Sequence, residues 1–543
     1  VITLDSFRFI WGYLTKNKLD AIFTFIIMIV LAILSIFPGI IIKRIFDNGL
    51  LIKNYNNIIM YSVILLAIYI VRSYLNYKST FILNKYSQNI IAFLRDDVMK
   101  KVMNLPMDFF SVNESGYITA RISEVNNISS LFSVNTFRIL ITVFEFIGVI
   151  ILLLSINPYL TLILLIISPL FYIIGKKNMK SISHSSQIAV EQNAKLNSRI
   201  QQSIQGMEEV KNLSVEGKEI QKIKKENDKM LKMSIEQSNR YDIGVELISF
   251  LGILSSVLLI ISGGGFVIFS NLTIGDYMVF SNYIGKLYAP MQSISVMSLT
   301  ISPALVSLKR ISSFMEEISE DELDENKLKL LKIDTIEFKN VTFKYKSQKE
   351  FTLNKINFSL NNNDKLMIKG GNGSGKTTIL RLILALYSIT SGNILINETS
   401  SSNYKKSSIR ENISVVSQKI YLFNGTIKEN ILYGLNLSDE EFSEKIQKKE
   451  IKNLLTQLPL DENIILLDNA SNLSGGQIQR IALVRGFLKE ADLFLFDEIT
   501  SGLDLAGINS IKDIIQENLA DKLCIFVEHS SVIDNLCNKF ISL

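Results

Sequence analysis

Gly370-Gly371-Asn372-Gly373-Ser374-Gly375-Lys376-Thr377 fits the pattern G-x-x-x-x-G-K-[ST]. A short β-rich run at 366–368 precedes it, and a helical run that opens at Thr378 and reaches 387 follows. This strand, loop and helix order is the context in which such a sequence cradles phosphate. The glycines let backbone amides turn inward, and the start of the helix adds partial positive charge. Lys376 is then expected on the β and γ phosphates of ATP, and the Thr377 hydroxyl on Mg²⁺.

Downstream, Leu493-Phe494-Leu495-Phe496 reads as a buried strand that ends in Asp497-Glu498. Two carboxylates at the C-terminal edge of a parallel sheet sit where ligands bind in α/β folds. Asp497 is expected to bind Mg²⁺ directly or through water, and Glu498 to orient or deprotonate the attacking water. Further β-rich runs at 336–338, 341–345, 413–417 and 524–527 complete a mixed α/β domain.

Upstream the composition changes. With 48% of its 543 residues apolar, the chain is a poor candidate for a wholly soluble enzyme. A helix needs about 20 mostly apolar residues to cross a bilayer, because every backbone hydrogen bond must close internally. The stretches 21–42, 57–77, 139–156, 159–175, 247–270 and 277–298 qualify and predict a six-helix transmembrane bundle. The first is followed by more of its kind and lacks a small-residue cleavage site, so it does not read as a removable signal. The formal charge of +5 needs no nucleic acid to explain it, since cytoplasmic loops of membrane proteins carry surplus Lys and Arg. Two cysteines, Cys524 and Cys537, and two histidines, His184 and His529, are too few for a disulfide framework or a zinc cluster.

The spacing of the spans predicts their topology. Asn157-Pro158 makes a tight turn between the third and fourth, and 271–276 joins the fifth to the sixth. Long charged segments follow the second and fourth spans; the one at 176–242 includes Lys211, Lys218, Lys222, Lys224 and Lys225. The positive-inside tendency places these segments, both termini and the α/β domain in the cytoplasm. Charges inside or near the spans are Arg72, Glu145, Glu246 and Lys286. An ionised group in lipid costs about 3 kcal/mol on insertion scales, so such residues usually face a bundle interior or water. Glu145 reads either as a cavity contact for cationic or polar cargo or as an interhelical hydrogen-bond partner. Arg72 and Glu246 are expected to snorkel toward the membrane surface. Residues 316–333, dense in Glu, Asp and Lys, read as a solvated linker between a membrane domain at 1–315 and a nucleotide-binding domain at 334–543.

Leu473-Ser474-Gly475-Gly476-Gln477, placed before Asp497, resembles the signature of ATP-binding cassette proteins. The whole chain looks like an exporter-type half-transporter, six helices fused to one P-loop nucleotide-binding domain. The resemblance implies that this pentapeptide opens a helix, 475–489, and that Ser474, Gly475, Gly476 and Gln477 meet the γ-phosphate held by an opposite subunit. It also implies that Tyr345 stacks on adenine, that Gln418 senses Mg²⁺, and that Asp504, in Ser501-Gly502-Leu503-Asp504, crosses between subunits. His529 resembles the switch histidine that contacts the γ-phosphate. Leu105-Pro106-Met107-Asp108-Phe109-Phe110 with Gly116 and Arg121, and residues 206–216, resemble two cytoplasmic loops that dock short helices on nucleotide-binding domains.

Some positions depart from the family pattern. Asp468-Asn469-Ala470-Ser471-Asn472 stands where an acidic, glycine-bearing segment is common, Glu528 stands where a small hydroxyl residue is common, and only 14 residues follow His529. Residues 5–20, ahead of the first span, contain no Cys or His, so no peptide-maturation protease is expected there. Because Lys376, Gln418, Ser474, Glu498 and His529 are all present, the resemblance implies a partner half-transporter, with a homodimer favoured over a heterodimer. It further implies ATP-driven export across a bacterial plasma membrane of a peptide, bacteriocin-like and the preferred cargo, or of a lipid or a drug-like molecule. The alternative is an ATP-gated membrane sensor without net transport.

Overall fold

The computed structural model describes residues 9, 12, 13 and 18 to 543, except 114, 347, 349, 457, 459–463, 468, 469 and 471. The chain divides into two compact units, Val1–Lys100 with Ile118–Glu316, and Lys101–Tyr117 with Glu317–Leu543.

In the first unit, helices run far beyond what a bilayer demands. Tyr55–Met103 has 49 residues and Glu216–Phe269 has 54. At 1.5 Å per residue the shorter of these is about 70 Å long, more than twice the ~30 Å hydrocarbon thickness. The charged segments after the second and fourth predicted spans are therefore continuations of the spanning helices, where the sequence suggested loops. Among the described residues, five helices are long and apolar enough to cross a membrane. The sixth predicted span lies on Ile274–Met315, several of whose side chains fall outside the described set. Asn157 caps Pro158–Leu165 by accepting from Leu160 N–H at 3.0 Å, which makes the tight turn the sequence predicts. Thr273 and Asp276 form a capping box at the start of Ile274–Met315.

Packing within this unit uses aromatic side chains against helix backbones. Tyr283, almost fully buried, donates its hydroxyl to Ile36 O at 2.6 Å, and Phe171 stacks on Tyr288 at 4.1 Å. A Cβ at Gly39 would come within 2.0 Å of the Tyr283 ring, so only glycine permits this approach. Arg72 does not snorkel. Its Nη2 donates to Glu145 Oε1 at 3.3 Å, because Tyr55–Met103 continues past the predicted end of the span and leaves Arg72 inside the helix. Lys286 Nζ lies 3.8 Å from the other Glu145 oxygen and donates to Ser35 O at 3.1 Å.

The second unit is built on a five-stranded all-parallel sheet. Its strand order is Lys539–Ser542, Lys365–Lys369, Leu523–Val527, Leu493–Asp497, Ile413–Val416. The strands Leu523–Val527 and Leu493–Asp497 are buried at every position, as their apolar sequences require up to the terminal Asp497. A second, antiparallel sheet orders Leu353–Asn361, Thr335–Phe343, Ser391–Ile396 and Thr399–Ser400. The runs 336–338 and 341–345, separate in sequence pattern, are one strand as far as Phe343, with register shifts around Asn340. Asn340 adopts a positive φ of 50°, and Gly392 lies so close that a Cβ there would be 2.2 Å from Asn340 O.

Residues 316–333 are mostly exposed, but the segment is anchored at a few points. Leu330 and Ile333 are buried in the core of the α/β unit, Asp324 Oδ2 accepts from Lys406 N–H at 2.6 Å, and Glu320 pairs with Arg410 at 2.7 Å. Many charges hide a few apolar anchors, which composition alone could not separate. The short helix Met107–Val112 belongs to the same unit, where Asn104 O accepts from Glu320 N–H at 2.7 Å and Asp108 lies 3.7 Å from Lys346 Nζ.

Candidate nucleotide site

Three neighbouring strands deliver the site. Lys365–Lys369 runs into the glycine loop, Leu493–Asp497 ends in the paired carboxylates, and Leu523–Val527, hydrogen-bonded between them, leads to Glu528 and His529. All three run parallel, so their C-terminal ends share one edge and their following residues converge.

In the loop, Gly373 and Gly375 adopt positive φ values of 81° and 100°, which residues with a Cβ rarely take. Gly375 is doubly constrained, since a Cβ there would lie 2.5 Å from Leu353 Cδ2. A Cβ at Gly370 would meet Ser374 Oγ at 2.6 Å, while Gly371 has open space around it. Lys376, buried, folds back and donates to Gly370 O at 3.0 Å and Gly371 O at 2.9 Å. It thereby closes the loop formed by Gly370, Gly371, Asn372, Gly373 and Ser374. Ser374 Oγ is buried without a hydrogen-bond partner among the described residues.

Thr377 donates its hydroxyl to Asp497 Oδ2 at 2.9 Å, joining the loop to the carboxylate strand. Burial raises the Asp497 carboxyl above the ordinary carboxylate range, with the Thr377 hydrogen bond opposing it. Its second oxygen, Oδ1, is buried with no hydrogen-bond partner among the described residues. An orphaned carboxylate oxygen beside a threonine hydroxyl is the donor set that suits a hard divalent cation, so the residues fit Mg²⁺. Gln418, two residues beyond Ile413–Val416, is exposed.

Glu498 follows with φ of 53°, a strained conformation for a residue with a side chain. Its N–H donates to Val527 O at 2.8 Å, and its Oε1 lies 3.4 Å from His529 Nε2. Glu528, missed as a functional candidate, is buried and accepts from Thr500 N–H at 2.9 Å and Thr500 Oγ1 at 3.0 Å. Burial raises its carboxyl, with the Thr500 hydrogen bonds opposing the shift. Its only sequence signal is the departure from a small hydroxyl residue at that position.

Tyr345 lies past the end of Thr335–Phe343, edge-on to Phe343 at 4.8 Å and to Tyr387 at 5.2 Å. Its hydroxyl is 3.1 Å from Thr378 Oγ1 and accepts from Arg381 Nη1 at 3.1 Å, so it is tied to the helix that follows the glycine loop.

Ser474 is the N-cap of Gly475–Leu488: its hydroxyl accepts from Gln477 N–H at 3.3 Å, and Gln477 Oε1 accepts from Ser474 N–H at 2.8 Å. Gly475 has open space around it, whereas a Cβ at Gly476 would lie 2.7 Å from Gly502 O. Arg480, buried on the same helix, donates to Asp504 Oδ1 at 2.5 Å, and Asp504 caps Leu505–Glu517 through Gly507 N–H at 3.0 Å. Gln479 donates to Ile499 O at 3.2 Å. The signature helix is thus bound to the loop that follows the catalytic candidates. Among the described residues, no hydrogen bond or ion pair links Ser474, Gly475, Gly476 or Gln477 to the glycine loop of the same chain. Of the departing segment 468–472, residues 468, 469 and 471 lie outside the described residues.

Comparison with known proteins identifies both parts of the chain. Residues 21–291 match the ABC transporter transmembrane region, and residues 353–501 match the ABC transporter domain. The ATP-dependent lipid A-core flippase of Haemophilus influenzae is 26% identical over 546 residues, 98% of this chain and 92% of that protein. The lactococcin-A transport/processing ATP-binding protein of Lactococcus lactis is 29% identical over 485 residues, 88% of this chain and 67% of that protein. A bacterial Atm1-family ABC exporter solved with ATP bound superposes with a TM-score of 0.85 at 20% identity, covering 97% of this chain and 94% of that one. With a membrane-spanning helical region and a nucleotide-binding ATPase domain fused in one polypeptide, this chain belongs to the ABC transporters.

Proposed function

We propose that the chain is one half of an ATP-driven exporter in a bacterial plasma membrane, with its α/β unit in the cytoplasm and its catalytic sites shared between two copies. The observation that carries this reading is a division within one chain. The glycine loop, Asp497, Glu498 and His529 converge on one sheet edge, while Ser474 opens a helix that, among the described residues, is hydrogen-bonded to none of them. A site that needs both halves is completed by a second chain, and a homodimer suffices because this chain carries every part.

Within such a site each residue has a role set by its chemistry. Lys376, held against the loop carbonyls, turns to the β and γ phosphates, and the backbone N–H groups of residues 371–378 donate to the remaining phosphate oxygens. Thr377, Asp497 and Gln418 would hold Mg²⁺, which would supply positive charge to offset the negative charge that develops on the phosphates. Glu498 orients and deprotonates the attacking water, and His529, beside it, contacts the γ-phosphate. Tyr345 offers its ring to adenine. The partner's Ser474 to Gln477 segment closes over the γ-phosphate, and Asp504 links the two sites through the Arg480 pair. Nucleotide holds the two halves together, and its cleavage lets them part and reorients the membrane helices.

Names among the relatives point to lipid and to peptide cargo, and both stay within this proposal. The test is Glu498→Gln in the full chain in lipid. Hydrolysis is expected to fall by about 10²-fold or more, as for loss of a general base, with ATP binding preserved. Turnover within a few-fold of the parent removes Glu498 from this role. ATP-dependent cargo accumulation in inside-out vesicles separates an exporter from an ATP-gated sensor, which hydrolyses without accumulation.

A further inference from the structure

We infer that Arg381 is a positioning residue for nucleotide recognition, which holds the Tyr345 ring in register with the phosphate-binding loop. This rests on the reading of Tyr345 as the adenine platform and names what sets the platform's place. Tyr345 lies two residues past the end of Thr335–Phe343, so strand pairing stops before it. Its half-buried side chain reaches instead to the helix Lys376–Ile383. There Arg381 Nη1 donates to the Tyr345 hydroxyl at 3.1 Å, and Thr378 Oγ1 lies 3.1 Å from the same oxygen.

The two contacts are compatible, because a phenol accepts at its lone pairs while its one hydrogen goes elsewhere. With Arg381 donating in, the Tyr345 hydrogen is left for Thr378. Thr378 and Arg381 are three residues apart and so share one face of their helix. Phe343 and Tyr387 meet the Tyr345 ring edge-on, at 4.8 Å and 83° and at 5.2 Å and 84°. The ring is thus bounded by two perpendicular rings and pinned at its tip. Thr378 and Tyr387 are buried, whereas Arg381 is exposed and makes no ion pair among the described residues, so no carboxylate competes for its guanidinium. The helix that carries this tether begins at the glycine loop, whose N–H groups face the phosphates in the proposed site. Base platform and phosphate loop are therefore fixed to one rigid element. A ring already in place spares the cost of ordering a mobile side chain on binding, which corresponds to about three- to tenfold in affinity.

The experiment titrates 2-aminopurine riboside triphosphate, a fluorescent isomer of ATP whose emission is quenched when its base stacks, into the full chain in nanodiscs. Mg²⁺ is left out, so the nucleotide binds and is not cleaved. The midpoint reports affinity and the depth of quenching reports the stack; steady-state ATPase assays add KM and kcat. Arg381→Met is expected to raise the midpoint, and KM for ATP, by about three- to tenfold, with a much smaller change in kcat. Tyr345→Phe, which keeps the ring and loses the hydroxyl, is expected to match it. In a Tyr345→Ala background, Arg381→Met is expected to cost nothing more, because the group it acts through is gone. Arg381→Met or Tyr345→Phe binding as tightly as the parent overturns the inference while the adenine reading stands. So does an undiminished loss from Arg381→Met in the Tyr345→Ala background, which assigns the guanidinium to the phosphates or to the fold. Tyr345→Ala that binds and quenches like the parent overturns the adenine reading, and this inference with it.

Discussion

Thr500 donates both its backbone N–H and its hydroxyl to one carboxylate, that of Glu528, at 2.9 and 3.0 Å. Glu528 sits at the end of Leu523–Val527 and Thr500 two residues after Glu498, so this clamp fixes the backbone that presents the proposed catalytic base. Removing this buried acceptor strands the Thr500 N–H and leaves its hydroxyl only the longer contact to Ser530 Oγ at 3.4 Å, at a cost of about 1–3 kcal/mol. Glu528→Ala is accordingly expected to lower the thermal midpoint of the chain and to reduce kcat for ATP hydrolysis several-fold, with nucleotide affinity kept. Glu528→Gln, which retains one acceptor oxygen, is expected to fall between the two. Scanning fluorimetry and steady-state ATPase assays check both; an alanine variant identical to the parent in midpoint and kcat refutes the clamp.

The Arg480–Asp504 pair has one buried and one half-exposed partner, 3% and 45% exposed. Losing Asp504 takes the carboxylate away from a guanidinium in the core, which also donates to Leu454 O at 3.3 Å. A fully buried pair loses about 3–5 kcal/mol when broken, and the exposure of Asp504 reduces this to roughly 1–2. Asp504→Ala is expected to lose that stability together with the helix cap of Leu505–Glu517. Asp504→Asn, which still caps, is expected to lose less. Urea unfolding of the two variants measures the difference.

At Gly476 a methyl group would stand 2.7 Å from Gly502 O, a backbone atom that cannot swing aside. Gly476→Ala is therefore expected to push the start of the signature helix from the loop that carries Asp504. ATPase turnover is expected to fall by about tenfold or more, the scale of a geometric misplacement in a catalytic site. Gly475→Ala, whose Cβ enters open space, serves as the steric control and is expected to fold with an unchanged thermal midpoint.

Much of the nucleotide site was legible because its parts are local. The glycine loop and the capping box at Ser474 are set by contiguous residues, and apolar runs such as Leu493-Phe494-Leu495-Phe496 announce their burial. Parallel neighbours then bring Lys376, Asp497, Glu498 and His529 to one edge without further instruction. What escaped depends on partners distant in sequence. Arg72 was expected at the membrane surface, and only the continuation of its helix and the position of Glu145, 73 residues on, place it in a pair. Residues 316–333 are mostly charged, so the burial of Leu330 and Ile333 is invisible until the sheet they pack on exists. The strand Thr335–Phe343 was divided in two because the shift at Asn340 breaks the period-2 pattern that reveals a strand.

The central claim is that catalysis belongs to a pair of chains, each supplying what the other lacks. The most direct measurement is the light-scattering mass of the protein moiety, recorded in the same detergent and at the same concentration at which ATP turns over. The account predicts twice the chain mass of 61.5 kDa wherever hydrolysis runs, and loss of activity as dilution drives the pair apart. A species of single-chain mass hydrolysing ATP at the undiminished rate would contradict it.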